Sequence, residues 1–121
     1  MKRILFTLLI VAACCGLASC DNNGPRVTTK GYTMQGNYSV VLSGSVVNDG
    51  PKTITEVGFV YSESTPNPTY SDGYKKVCGR SEGEFSATIT RSPSYDLHFR
   101  AYAKVGSGSV YYGSVWTVYK N

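Results

Sequence analysis

The side chains able to do chemistry in this 121-residue chain are few and far apart. His98 is the only histidine, so a nucleophile–base–orienter arrangement would need it beside a serine and a carboxylate. It stands instead in an alternating run where His98, Arg100, Tyr102 and Lys104 share one face. That pattern reads as a solvated face. Glu82 and Glu84 resemble paired carboxylates for acid–base work, but they flank Gly83 in a loop where nothing would perturb either pKa. Asp49, Asp72 and Asp96 fall in separate turns, without the regular oxygen-ligand spacing of a calcium loop. Neither a catalytic set, a metal site nor a cofactor is expected. Tyrosine is what the chain has in abundance, ten residues beside one tryptophan. Exposed aromatic rings stack on sugars and anchor protein partners. Tyr102, Tyr111 and Tyr119 fall on the faces assigned outward and are the candidate ligand-binding residues; Tyr70 and Tyr74 sit in or beside a turn. The competing reading is that tyrosine simply packs well on a pleated surface. Trp116, on the face with Val118, is assigned to the core.

A different chemistry is written at the N-terminus. Lys2 and Arg3 precede an apolar run from Ile4 to Ala13, which ends in the small residues of Leu17-Ala18-Ser19-Cys20. These are the parts of a secretory signal peptide, and the apolar run is shorter than the roughly 20 residues a spanning helix needs. Leu-Ala-Ser-Cys resembles the lipobox of bacterial lipoproteins. The resemblance implies that residues 1–19 are a cleaved signal and that Cys20 carries the lipid and becomes the first residue. More than one acyl chain makes such an anchor durable, at roughly 0.8 kcal/mol per buried methylene. Residues 20–25, the lipidated cysteine and the polar Asp21-Asn22-Asn23-Gly24-Pro25, form a short tether. An Asp directly after the cysteine resembles the surface-export signals of lipoproteins of the Bacteroidetes group; both the surface and the periplasmic face of the outer membrane remain open.

Loss of Lys2 and Arg3 leaves ten basic residues against eight acidic ones, and only Lys75-Lys76 are adjacent. Nucleic-acid binding wants basic residues clustered on one face, so it is excluded. Of four cysteines, Cys14 and Cys15 leave with the signal and Cys20 takes lipid. Cys78 then has no intrachain partner; its strand-like surroundings suggest a buried, inert thiol, the alternative being a reactive thiol or an intermolecular disulfide. The domain must therefore stand on an apolar core, which residues 26–121 are long enough to build.

That stretch reads as seven short strands separated by turns. They are Arg26–Thr33, Tyr38–Val47, Thr53–Ser62, Tyr74–Cys78, a run carrying Phe85, Ala87 and Ile89, a run carrying Leu97, Phe99, Ala101 and Ala103, and Val110–Tyr119. Asn48-Asp49-Gly50 has the composition of a hairpin turn. The expected architecture is an all-β, antiparallel two-sheet sandwich.

The segments Leu42-Ser43-Gly44, Glu56 to Ser62, Pro66-Asn67-Pro68-Thr69, Gly79 to Phe85, Phe99 to Ala103 and Tyr111-Tyr112-Gly113 resemble, in order, fibronectin type III-like domains of Bacteroidetes cell-surface lipoproteins. The resemblance covers most of residues 38–118 and implies a seven-stranded immunoglobulin-like sandwich used in adhesion, glycan handling or spacing. Leu97 occupies the place of the family's corner tyrosine, and the Gly106-Ser107-Gly108-Ser109 turn lacks an Arg-Gly-Asp. The resulting expectation is an exported, lipid-anchored, non-enzymatic module of the cell envelope. It would be tethered to the membrane through Cys20 and bind a glycan or protein partner. The alternative is a spacer or accessory subunit without a ligand of its own.

Overall fold

Apolar residues at every second position fold this chain as strands because each strand can then bury one face and wet the other. The computed structural model describes residues 24–48 and 50–120; the signal, Cys20, most of the tether and Asp49 lie outside the described residues. The strands are β1 (Arg26–Met34), β2 (Ser39–Val47), β3 (Ile54–Ser62), β4 (Tyr74–Gly79), β5 (Gly83–Thr90), β6 (Leu97–Val105), β7 (Val110–Tyr112) and β8 (Trp116–Val118). One sheet has the order β1-β2-β5; the other has β4-β3-β6-β7, with β8 also on β6. All pairings are antiparallel. Among the described residues there is no helix, and so none long and apolar enough to cross a membrane.

The expected alternation places the core. Val40, Leu42 and Val46 of β2 face Leu97, Phe99, Ala101 and Ala103 of β6 and, beside it in the same sheet, Val57 and Phe59 of β3, all buried. Two ring pairs bridge the sheets, Phe59 with Phe85 at 5.2 Å and Tyr32 with Phe99 at 6.2 Å, and Phe59 meets Phe99 edge-on at 6.2 Å within the larger sheet.

Four expectations change. Asn48 and Gly50 do not sit in a hairpin turn, because β2 and β3 belong to different sheets and the chain crosses between layers there. Cys78 is only half-buried, on the edge strand β4, where one side of the sheet has no neighbour; burial still pushes its thiol pKa up despite the Lys76 charge.

The last strand is two, making eight in all. β7 pairs with Tyr102–Lys104 and β8 with Leu97–Phe99, so Ala101 lies opposite the break at Gly113-Ser114-Val115. The first strand causes that break. Thr29 of β1 reaches across and its Oγ1 accepts the Ala101 N–H at 3.0 Å, while the Gly113 N–H donates to the Ala101 carbonyl at 3.0 Å. A β-carbon on Gly113 would collide with Thr29 at about its amide nitrogen and hydroxyl, so the chain needs glycine here. Trp116 closes the same seam rather than entering the core: it is partly exposed, its Nε1–H donates to the Thr29 carbonyl at 3.2 Å, and its ring meets Tyr32 edge-on. Thr29→Val keeps shape but leaves the buried Ala101 amide without its acceptor. Stability to urea should fall by about 1–3 kcal/mol; an unchanged midpoint would mean that the hydroxyl stitches nothing.

Candidate functional site

Two tyrosine-rich regions result, and they do different work. The first lies on the outer face of the larger sheet. After β3 the chain folds back across that face, carrying with it the half-buried Tyr70 and the fully buried Pro68. The Arg100 Nε–H donates to the Pro68 carbonyl at 2.8 Å, its guanidinium covers the Tyr112 ring at 3.9 Å, and the Tyr112 hydroxyl accepts the Tyr70 N–H at 2.8 Å. Beneath Tyr70, the Tyr102 hydroxyl donates to Glu56. Lys75 sits 3.8 Å from both the Glu56 carboxylate and the Tyr70 ring centre.

Burial alone would push the Glu56 carboxyl up. The hydroxyls of Tyr102 and Tyr70 and the ammonium groups of Lys75 and Lys104 outweigh it and hold the pKa below its ordinary value. A depressed carboxylate contributes stability above its unfolded pKa and loses that contribution as pH falls through the folded one. Glu56→Gln should therefore reduce the acid sensitivity of the fold, by about 1 kcal/mol or less for a carboxylate that still reaches solvent. Urea titrations at neutral and acid pH check this; equal acid sensitivity in both proteins would refute it.

The second region is a cleft of about 460 Å³ at one end of the sandwich. In an antiparallel stack the start of β2, the end of β3, the start of β4, the end of β5 and the approach to β6 all come to the same end. They deliver Tyr38, Tyr61, Glu63, Tyr74, Thr90, Arg91, Ser92 and Leu97 to one cavity. Tyr61 and Tyr74, opposite one another in the β3–β4 ladder, stack with centroids 5.8 Å apart. Tyr95 extends the aromatic surface along a groove shared with Glu63, Ser64 and Tyr74. Tyr38, Tyr74 and Tyr95 are 65%, 70% and 59% exposed. Polar groups line the cleft: Glu63 Oε2 accepts the Ser92 N–H at 2.9 Å, and Arg91 is held through its backbone N–H on the Tyr38 carbonyl at 2.8 Å. Wet rings beside a few fixed polar groups suit a ligand with both apolar faces and hydroxyls.

The tyrosines singled out from the sequence do not gather here. Tyr102 is on the outward face, as expected, but it is fully buried because the returning β3–β4 segment covers it. Tyr111 lies opposite the core-facing Ala103, so it turns to the inner side, where its ring fills the space at Gly24. Tyr119 is exposed as assigned, but is not among the residues that line the cleft. His98 is half-buried, its Nδ1 3.0 Å from Thr117 Oγ1. Glu82 and Glu84 go separate ways: Glu82 accepts the Asn48 N–H at 3.0 Å, and Glu84 pairs with Lys30 at 3.1 Å. Asp72 closes a local turn with Thr69, and Asp96 accepts the Lys120 N–H at 2.8 Å. Among the described residues no group of three or more His, Cys, Asp or Glu is placed to hold a metal ion.

Among solved structures, the sensor domain of the anti-sigma factor RsgI4 in Pseudobacteroides cellulosolvens superposes with a TM-score of 0.55 at 17% identity, covering 83% of this chain and 97% of that one. The likeness is one of fold. No family model matches the chain, and no curated protein does.

Proposed function

We propose that this chain is a non-enzymatic recognition module, exported and held at the cell envelope by lipid on Cys20, and that it binds a glycan through the tyrosine-walled cleft. The observation that carries the reading is the set of exposed rings of Tyr38, Tyr74 and Tyr95 around a cavity with fixed polar groups. The lipobox-like Leu17-Ala18-Ser19-Cys20 supports the anchor, and the ordered motifs between residues 38 and 118 support a fibronectin type III-like module of Bacteroidetes outer-membrane lipoproteins. A fold shared with a domain named as a sensor agrees with a part that binds rather than reacts. The ligand-binding role assigned from sequence to Tyr102, Tyr111 and Tyr119 passes to the cleft tyrosines.

The protein, purified in detergent, would be applied to glycan and protein arrays beside Tyr74→Ala and Tyr119→Ala. Tyr74 is an exposed ring, so its loss should leave the fold intact and weaken glycan binding roughly tenfold or more, with Tyr119→Ala unchanged. Glycan binding that survives Tyr74→Ala but is lost in Tyr119→Ala would move the site elsewhere. Binding to proteins alone would replace the glycan, and binding to nothing would leave a tethered spacer.

A further inference from the structure

The cleft contains a buried cation with an unused hydrogen-bonding edge. Arg91 is 3% exposed. Its Nη1 makes one weak contact, to Met34 Sδ at 3.8 Å, while Nε and Nη2 are buried and, among the described residues, have no hydrogen-bond partner. A charge removed from water without a counter-charge is costly to the fold, and a cost of this kind at a cavity wall is a common mark of function. Nε–H and Nη2–H form one straight edge of the planar guanidinium, two parallel donors spaced to meet the two oxygens of a carboxylate.

Resting on the recognition reading above, we infer that the cleft takes an acidic saccharide, a sugar bearing a carboxylate, and that the Nε–Nη2 edge of Arg91 holds that carboxylate while the tyrosines cover the ring faces. Glu63 sharpens the choice. Its carboxylate faces the same cleft and bonds the Ser92 N–H through Oε2, so a multiply charged phosphate would meet its repulsion. A sugar ring that bears a single carboxylate has hydroxyls to donate to Glu63. Nε and Nη2 are shielded from water in the free protein, so binding requires a side-chain movement that opens this edge to the cleft.

The test is calorimetric titration of the protein in detergent with three acidic probes: trigalacturonic acid, a hyaluronan tetrasaccharide and sialyllactose. Each is run beside its carboxyl-methyl ester, and each against Arg91→Met and Arg91→Lys. At least one acid should bind, and the ester or the Arg91→Met change should weaken it roughly tenfold to a hundredfold. Arg91→Lys keeps the charge but lacks the paired donors, so it should recover only part of the loss. Arg91→Met should melt at the wild-type temperature or higher, since it removes an unpaired buried charge; a steep fall would make Arg91 a structural residue and overturn the inference. So would equal binding of acid and ester, or binding of a peptide C-terminus in place of all three sugars. Neutral sugars that bind and are lost in Tyr74→Ala would sink the carboxylate and leave the recognition reading standing. If no saccharide of either kind binds, both fail.

Discussion

Phe99→Ala should remove about 3–5 kcal/mol of folding stability, much of the 5–15 kcal/mol that a domain of this size holds. Phe99 is fully buried in β6, and its ring is the common neighbour of Tyr32 from the smaller sheet and Phe59 from its own. Truncation therefore opens a void where the two layers meet, and neither partner can follow it without leaving its own strand. In urea the midpoint should fall sharply with the slope of the transition retained, the mark of lost stability in an otherwise unchanged fold. A loss below about 1 kcal/mol would mean that the layers collapse freely onto the gap, against the close packing of protein interiors.

Gly58→Ala should be nearly as damaging for the opposite reason, excess volume. Gly58 lies on the outer side of β3 at a register shift against β4, with the Lys76 carbonyl passing directly over its α-carbon. A β-carbon would overlap that oxygen, and the obstacle is backbone, which cannot rotate away. The edge strand must lift. Overpacking of this kind costs about 1–3 kcal/mol or more, and here the cost is local first: amide exchange at Lys75, Lys76 and Val77 should accelerate before the rest of the sheet. Because β4 begins at Tyr74, the Tyr61–Tyr74 stack should loosen with it, and ligand affinity should fall although Gly58 is not part of the cleft wall. Unchanged exchange at those amides would show that β4 is not held by this contact.

The layers were legible because burial follows a period of two in β2, β5 and β6, where Val40, Leu42, Ala87, Ile89, Phe99 and Ala101 announce an inner face. Tyr102 shows where that reading stops. Alternation assigns a side chain to a face but carries no information about a later segment returning to cover it, and the two prolines after β3 were legible only as the end of a strand. The interruption of the last strand escaped for a similar reason, since Val110 to Tyr119 is β-prone throughout and what breaks it is Thr29, more than eighty positions away. The cleft was hidden among ordinary strand ends. Its signal was present, because up-and-down chain direction sends the start of each even strand and the end of each odd one between β2 and β6 to a single pole. Tyr38, Tyr61, Tyr74 and Arg91 each occupy such an end. Nothing in the local sequence of Arg91, which precedes an ordinary Ser92-Pro93 turn, reveals that its side chain is buried and unpartnered.

The seam between β1 and the broken strand has a mechanical meaning. A terminal strand bonded only to its neighbour peels away one hydrogen bond at a time when its end is pulled. β1 is bonded to β2 along its length, and through the Thr29 hydroxyl and carbonyl it is also fastened to Ala101 and Trp116 of the opposite layer. Tension entering at Arg26, the end nearest the proposed anchor, is thus shared by both sheets at once. Were the proposed anchor to pull on that end, both sheets would have to yield together before β1 came free.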